Sequence, residues 1–252
     1  MKTAYLGPEG SYSSLAARKL CPTAEYLPRK SFYAAVSCVL ACEADCAVLP
    51  VENTLQGAVA QNLDLLYANA ELFAVKEYLL QIDHRLIFRR GVNLSRIERV
   101  FSHEQAILQC GKFLSENLPQ AKIVYTDSTA ESLSVMQKET DAGIVGAHMA
   151  REGYELSAEN IADEKKNFTH FLLVKRGEEY LPSHSGRVYF AASCPLEPGA
   201  LLKMLQILAV YDLNMTKIES RPKKDSPGEY NFFIEFEGDI AANGVRAALS
   251  LL

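Results

Sequence analysis

The chain has 252 residues, enough for one or two ordinary domains and too many for a peptide or a disulfide-stapled miniprotein. Its 48% hydrophobic and 23% charged residues exclude a disordered chain, and a net charge of −5 counts against a nucleic-acid binder, although a local basic patch can sit inside an acidic total. No apolar run approaches the roughly 20 residues of a membrane span, and residues 1–7 are too short and too quickly polar for a signal peptide, so the cytoplasm is the expected location.

Residues 3–6 form a short apolar run, predicted as a strand, broken by Gly7-Pro8-Glu9-Gly10-Ser11. Ser13-Ser14 then open a helix through Leu15, Ala16 and Leu20. Ser31 has the position of an N-cap, with Phe32, Val36, Val39 and Leu40 at helical spacing behind it. Residues 47–51 read as a buried strand ending at Glu52-Asn53-Thr54, and a helix follows over 59–67. Residues 72–89 look like long strand. Another strand closes at Phe101, and Ser102-His103-Glu104-Gln105 opens a helix with Ile107, Cys110 and Leu114 on one face. Residues 121–125 are a strand, Ser128-Thr129-Ala130-Glu131 is a capping box, and strands follow at 142–145 and 171–174.

Alternating strands and helices predict an α/β fold with largely parallel sheets, in which ligands bind at strand carboxyl ends beside helix N-termini. Four polar clusters fall at such points: Gly10-Ser11-Tyr12, Glu52-Asn53-Thr54, Ser102-His103-Glu104 and Asp127-Ser128-Thr129. They mark either a shared cleft or a set of plain helix caps, and both readings stand at this level. The six cysteines include Cys38, Cys42 and Cys46 at spacings of four, which would share one helical face. With neither a CxxC pair nor a fourth ligand they read as small buried hydrophobes, and no metal is expected. His84, His103, His148 and His184 are not spaced as metal ligands. His103 lies in a strand-end cluster and is a candidate to touch a cleft, and the others read as surface or packing residues.

Residues 178–186 have the composition of a linker. After it the pattern restarts: a strand at 188–192, a helix whose first turn holds Pro198 and which carries Leu201, Leu202, Leu205 and Leu208, a strand at 214–220, a turn at 223–228, a third strand with Tyr230, Phe232, Ile234 and Phe236 alternating, and a helix from about 243. This is βαββα, a ferredoxin-like module lacking its last strand. The expectation is a truncated chain, about six residues short, or a partner covering the open edge.

Six motifs, in order, resemble the bacterial prephenate dehydratases, in which a catalytic domain precedes an ACT regulatory domain. They are Tyr5-Leu6-Gly7-Pro8-Glu9-Gly10-Ser11-Tyr12-Ser13, Val48-Leu49-Pro50-Val51-Glu52-Asn53-Thr54, Ser102-His103-Glu104-Gln105 with Gln109-Cys110, Asn167-Phe168-Thr169-His170-Phe171, Gly199-Ala200-Leu201-Leu202, and Glu219-Ser220-Arg221-Pro222. The likeness spans nearly the whole chain. It implies a two-lobed catalytic domain over 1–177 of the type II periplasmic-binding-protein kind, with lobe one about 1–79 plus 165–177 and lobe two about 80–164, then the linker and an ACT domain over 187–252. The implied reaction converts prephenate to phenylpyruvate, water and carbon dioxide without a cofactor. Arogenate dehydration, and a non-catalytic sensor of a small acid and an amino acid, are the alternatives.

The resemblance places Asn53 and Thr169 across a cleft from Ser102, Gln109 and Asp127. A threonine hydroxyl is a poor acid, so Thr169 would act as hydrogen-bond donor or relay to the leaving hydroxyl. Glu52 or Asp127 would supply the proton only if burial raised its pKa. Asn53 and Gln109 are neutral donors. The loops at Ser11, Ser102 and Ser128 are either anion sites or caps. Thr54, Gln105, Thr129, Phe171 and His170 complete the substrate-binding set. His170 stands where the family usually has arginine, so the family's charge is dispensable there, or activity is weakened, or the pH optimum is lower. In the second module Gly199, Ala200, Leu201, Leu202, Asn214, Glu219, Ser220, Arg221 and Pro222 would hold L-phenylalanine as an allosteric inhibitor, with Gly199 permitting close backbone approach. Paired modules would make a homodimer or homotetramer, with no nucleic-acid or membrane partner.

Overall fold

The computed structural model describes residues 1–177, 186–223 and 226–252, so most of the predicted linker, His184 and part of the 223–228 turn lie outside the described residues. In chain order the elements are β1 (Lys2–Leu6), α1 (Tyr12–Leu20), β2 (Glu25–Arg29), α2 (Phe32–Leu40), β3 (Cys46–Asn53), β4 (Gly57–Ala58), α3 (Ala60–Ala68), β5 (Leu72–Gln81), β6 (His84–Arg89), β7 (Arg99–Ser102), α4 (Glu104–Gln109), α5 (Gly111–Asn117), β8 (Lys122–Tyr125), α6 (Ser132–Val135), β9 (Asp141–Gly146), β10 (Tyr154–Leu156), β11 (Phe168–Arg176), β12 (Arg187–Ser193), α7 (Ala200–Val210), β13 (Met215–Pro222), β14 (Tyr230–Glu237) and α8 (Asn243–Leu251). Among the described residues no helix is long and apolar enough to cross a membrane.

The chain divides into two compact units, one of residues 1–59 and 75–176, the other of 60–74 and 177–252. The first is built on two mixed sheets, not the largely parallel ones the alternation suggested. One runs β2-β1-β3-β11-β5, with β4 on β3; the other runs β10-β6-β9-β7-β8. The pairs β1/β2, β1/β3, β7/β8 and β7/β9 are parallel, whereas β3/β11, β6/β9 and β6/β10 are antiparallel. The apparent long strand at 72–89 is two strands in different sheets, broken at Ile82 and Asp83. Tyr5, Ala16, Leu20, Val48, Phe171 and Leu173 form the core of the first sheet, and Leu86, Val100, Ile107, Cys110, Leu114 and Ile144 that of the second. Ile107, Cys110 and Leu114 do share one buried face, although the helix breaks at Cys110 into α4 and α5.

Helix starts follow local chemistry. The Ser11 hydroxyl caps α1 by accepting from Ser14 N at 3.2 Å, and Ser31 caps α2 by accepting from Ala34 N at 3.0 Å. Cys38, Cys42 and Cys46 do not share a helix face: Cys38 is in α2, Cys42 turns the chain at φ 59°, and Cys46 starts β3.

The second unit has a three-stranded sheet, β12-β14-β13, antiparallel throughout. Val188, Met204, Leu208, Ile234, Phe236 and Val245 form its core. α7 begins at Ala200, two residues later than Pro198 suggested, because Gly199 stops the chain in the left-handed region at φ 82°. A Cβ there would meet no protein atom within 4 Å, so what the fold itself requires of Gly199 is its backbone angle. α3, which the sequence assigned to lobe one, groups with this unit. Asp64 meets the Arg221 guanidinium at 3.2 Å, and Tyr67 lies edge-on to Phe233 at 6.3 Å.

Candidate active site

A cavity of about 920 Å³ in the first unit is lined from both of its sheets. Its wall includes Ser11, Asn53, Gln105, Gln109, Asp127, Ser128, Thr129, Thr169 and Phe171 from the set nominated by sequence. Four nominated residues do not line it: Glu52, Thr54, Ser102 and His170.

The placement of Asn53 and Glu52 follows from a register shift. Thr169 pairs with Asn53 and His170 with Glu52, but Phe171 pairs with Pro50, so β3 carries one extra residue, Val51. Strand alternation alone would put residues 50 and 52 on one face. The extra residue instead brings Pro50 and Asn53 to the cavity opposite Phe171 and Thr169 and leaves Glu52 on the other side. His170 goes the same way as Glu52: it is buried, and its Nε2 meets Glu77 Oε2 at 2.8 Å. Thr54 is a clasp, accepting from Phe168 N at 2.9 Å and donating to Lys166 O at 3.3 Å. Ser102 is fully buried and donates to Ile144 O at 2.8 Å, which ties β7 to β9 instead of greeting a ligand.

The remaining serines serve as caps. Ser11 Oγ accepts from Ser14 N and donates to Leu6 O. Ser128 Oγ accepts from Glu131 N at 3.1 Å while Glu131 reaches back to Asp127 N at 2.8 Å, a displaced capping box ahead of α6. The N-cap of α4 is His103, whose Nδ1 accepts from Gln105 N at 3.2 Å. Asp127 itself is exposed at the cavity wall.

A continuous set of hydrogen bonds joins the two sheets through the cavity wall. Asn53 Oδ1 accepts from Leu55 N and Gln56 N, and Asn53 Nδ2 reaches Asn167 Oδ1 at 2.7 Å, Thr169 Oγ1 at 3.0 Å and Phe168 O at 3.2 Å. Asn167 Nδ2 donates to Gln109 Oε1 at 3.0 Å, and His84 Nε2 meets the same oxygen at 3.0 Å. Tyr12 OH donates to Asp83 O at 2.9 Å and lies 3.3 Å from His84 Nδ1. Burial pushes the Tyr12 phenol far up, with the Asp83 charge adding to it, and burial pushes the His84 imidazole down. Both are neutral at pH 7. His148 packs edge-on to Tyr12 at 5.6 Å and holds Gly10 O at 2.8 Å; burial lowers its pKa too. A side chain on Gly146 would collide with the His148 ring and press Tyr12, so this corner requires glycine.

Sequence reasoning missed Lys30, His84 and Asn167 as cavity residues, and it gave Tyr12, which it had placed in a strand-end cluster, no role of its own. Tyr12 and Asn167 sat inside matched motifs. His84 had no local signal, because it starts β6 where the chain changes sheet. Lys30 is the one lysine or arginine among the described residues of the wall. Among the described residues no group of three His, Cys, Asp or Glu side chains is placed to hold a metal.

In the second unit a cavity of about 390 Å³ is lined by Cys194, Glu197, Ala200, Leu201, Tyr230, Phe232 and neighbours. Of the nominated effector residues, Ala200 and Leu201 line it. Gly199, Leu202, Asn214, Glu219, Ser220, Arg221 and Pro222 do not. Leu202 is exposed, Asn214 donates to Glu237, Arg221 is engaged by Asp64, and Glu219 to Pro222 lie along β13 paired with β14.

A family model for prephenate dehydratase matches residues 3–179. The chain is 36% identical over 257 residues to the prephenate dehydratase of Amycolatopsis methanolica, covering 100% of this chain and 84% of that one. It is 34% identical over 263 residues to the chloroplastic arogenate dehydratase/prephenate dehydratase 2 of Arabidopsis thaliana, covering 99% of this chain and 68% of that one. A solved prephenate dehydratase from Arthrobacter aurescens, in complex with L-Phe, superposes with a TM-score of 0.87 at 32% identity, covering 99% of this chain and 84% of that one. These matches define an α/β lyase of the dehydratase kind. The chain belongs to the prephenate dehydratase family.

Proposed function

We propose that the chain dehydrates and decarboxylates prephenate to phenylpyruvate in phenylalanine synthesis, using the 920 Å³ cavity. The observation that carries this reading is the pairing of Thr169 with Asn53. The Thr169 hydroxyl accepts from Asn53 Nδ2, which leaves its own hydrogen for a group in the cavity. The ring carboxylate leaves as carbon dioxide, its bonding electrons enter the ring, and the ring carbon–oxygen bond breaks. The departing hydroxyl takes a hydrogen bond from Thr169 and a proton to become water. Asp127 relays that proton from solvent, a role that its exposure at the cavity wall supports. Gln109 and Lys30 offer a neutral and a charged donor for the substrate's carboxylates.

The test is phenylpyruvate formation from prephenate by the purified protein. Thr169→Ala should lower kcat by about 10²–10³-fold while prephenate still binds, and Thr169→Ser should keep most of the rate. Retained turnover in Thr169→Ala would refute the assignment.

The two sheets support a catalytic domain over 1–177 with two lobes of the periplasmic-binding-protein type, followed by an ACT domain over 187–252 that binds L-phenylalanine and inhibits the reaction. The L-Phe complex of the Arthrobacter relative and the cavity beside Ala200 and Leu201 support this regulation. The exposed Leu202 and Val210 on α7 support assembly into a homodimer or homotetramer, and a cytoplasmic setting fits the pathway. Arogenate dehydration is the second reading, favoured by the likeness to the Arabidopsis enzyme. Parallel assays with prephenate and arogenate separate the two.

A further inference from the structure

The hydrogen bonds of the cavity wall have a direction, and backbone atoms fix it. Asn53 Oδ1 lies 3.0 Å from Leu55 N and 3.2 Å from Gln56 N, both of which can only donate, while Asn53 Nδ2 lies 3.2 Å from Phe168 O, which can only accept. The Asn53 amide therefore has one orientation. Its nitrogen donates to Asn167 Oδ1, so the Asn167 nitrogen faces Gln109 and donates to Gln109 Oε1. That oxygen accepts again from His84, so His84 Nε2 carries a hydrogen. A neutral imidazole has one such hydrogen, so Nδ1 is bare and faces the Tyr12 hydroxyl. The order runs from His84 to Gln109, and from Asn53 through Asn167 to the same oxygen, while Tyr12 gives its one hydrogen to Asp83 O at 2.9 Å and lies 3.3 Å from the bare Nδ1.

We propose that His84, with its hydrogen on Nε2, is a positioning residue that, together with Asn167, holds the Gln109 carboxamide oxygen inward and leaves the Gln109 amide hydrogens for a ligand in the cavity. This rests on the reading of the cavity as the site of prephenate turnover. The same order leaves the Thr169 hydroxyl as an acceptor toward Asn53 and a donor toward the cavity. If His84 carried its hydrogen on Nδ1, its bare Nε2 would face Gln109 Oε1, two acceptors 3.0 Å apart, and the Gln109 amide would turn over. Its NH₂ would then face Asn167 Nδ2, and the wall would lose the donors that a carboxylate needs. Burial supports the neutral ring, since it disfavours the imidazolium, and the Tyr12 phenol stays protonated for the same reason.

Two measurements on the full chain test the proposal. In the free protein labelled with ¹⁵N-histidine, NMR should show His84 neutral with its hydrogen on Nε2 at pH 7. A hydrogen on Nδ1, alone or with Nε2, overturns it. In initial-rate assays with prephenate, His84→Leu should lower kcat about 10–100-fold and change KM far less. His84→Gln, whose side-chain NH₂ can stand in for Nε2–H, should recover most of that loss. Equal loss in both variants, or unchanged kcat in His84→Leu, overturns the proposal. Should His84→Leu not fold, a His84→Gln variant that folds yet loses turnover overturns it, and one that keeps turnover supports it alongside the NMR result. A wild-type protein inert toward prephenate would instead refute the functional reading, and the NMR measurement would still decide the position of the hydrogen.

Discussion

Replacing Asn53 by aspartate changes almost no volume and inverts one end of the side chain. The Nδ2 group that reaches Asn167 Oδ1, Thr169 Oγ1 and Phe168 O becomes an oxygen, and all three partners present oxygens to it. Asn167 Oδ1 loses its donor, whereas Phe168 O keeps the Thr54 N–H at 2.9 Å. One buried acceptor left unpaired costs about 1–3 kcal/mol, so the variant should be destabilised by about that much. The Thr169 hydroxyl can relieve its own clash only by donating its hydrogen to the new carboxylate. That takes the hydrogen away from the substrate, and kcat should fall about 10²–10³-fold, or about 2.7–4 kcal/mol of barrier. The new carboxyl sits among acceptors with no arginine or lysine beside it in the network, which raises its pKa. Protonated, it regains one donor. Activity should therefore recover in part as the pH falls, and wild-type enzyme should show no such recovery. The assay is kcat for phenylpyruvate formation between pH 5 and pH 8, with chemical unfolding in parallel. A variant with wild-type kcat at pH 8 would refute the orientation of Asn53, and so would loss of activity that low pH leaves untouched.

The Asp141 side chain is fully buried; burial pushes its carboxyl up, but the Arg99 guanidinium at 2.8 Å and the amides of Lys138 and Gln137 outweigh this and hold it below its ordinary value. With the folded pKa depressed, its stabilisation is present above the unfolded value of about 3.9 and is lost as pH falls through the folded one. Urea unfolding should show stability rising with pH through that window, and Asp141→Asn should flatten the rise and cost about 1–3 kcal/mol at neutral pH. His170→Arg should change kcat equally little at about pH 6 and about pH 8, on either side of the reference histidine pKa of about 6.5, because the side chain faces Glu77 instead of the cavity. A gain confined to the higher pH would show that the charge acts on the substrate.

Much of the fold was legible because it is written locally. Ser31 sits one residue before an apolar helical stripe and caps it, and Ile107, Cys110 and Leu114 repeat at helical spacing and share a core. β2 was missed because Glu25–Arg29 has no clean alternation and contains Pro28, and β10 because it is three residues long. The switch of sheets at residues 82 and 83 was invisible, since apolar alternation continues on both sides of it. In the site, motif residues such as Asn53, Gln109 and Thr169 reached the cavity. Glu52 did not, because the extra residue in β3 is a property of the pairing with β11 and leaves no trace in β3 alone. Ser102 looked like a ligand-facing serine at a strand end, yet its hydroxyl is spent on a neighbouring strand. His84 looked like packing because its partners are Tyr12, 72 residues before it, and Gln109, 25 residues after it.

The membership of residues 60–74 in the C-terminal unit has a consequence for any attempt to separate the two halves genetically. The polypeptide passes from one unit to the other after residue 59, after residue 74 and again after residue 176, so the halves are interleaved and not strung end to end. A gene cut at codon 177 would deliver the whole cavity wall but would strand α3, whose Asp64 and Tyr67 would lose Arg221 and Phe233. Such a fragment would bring catalysis with it, together with a sticky, unclothed helix. Recombination can append this C-terminal module to other proteins cleanly only if a copy of α3 travels along.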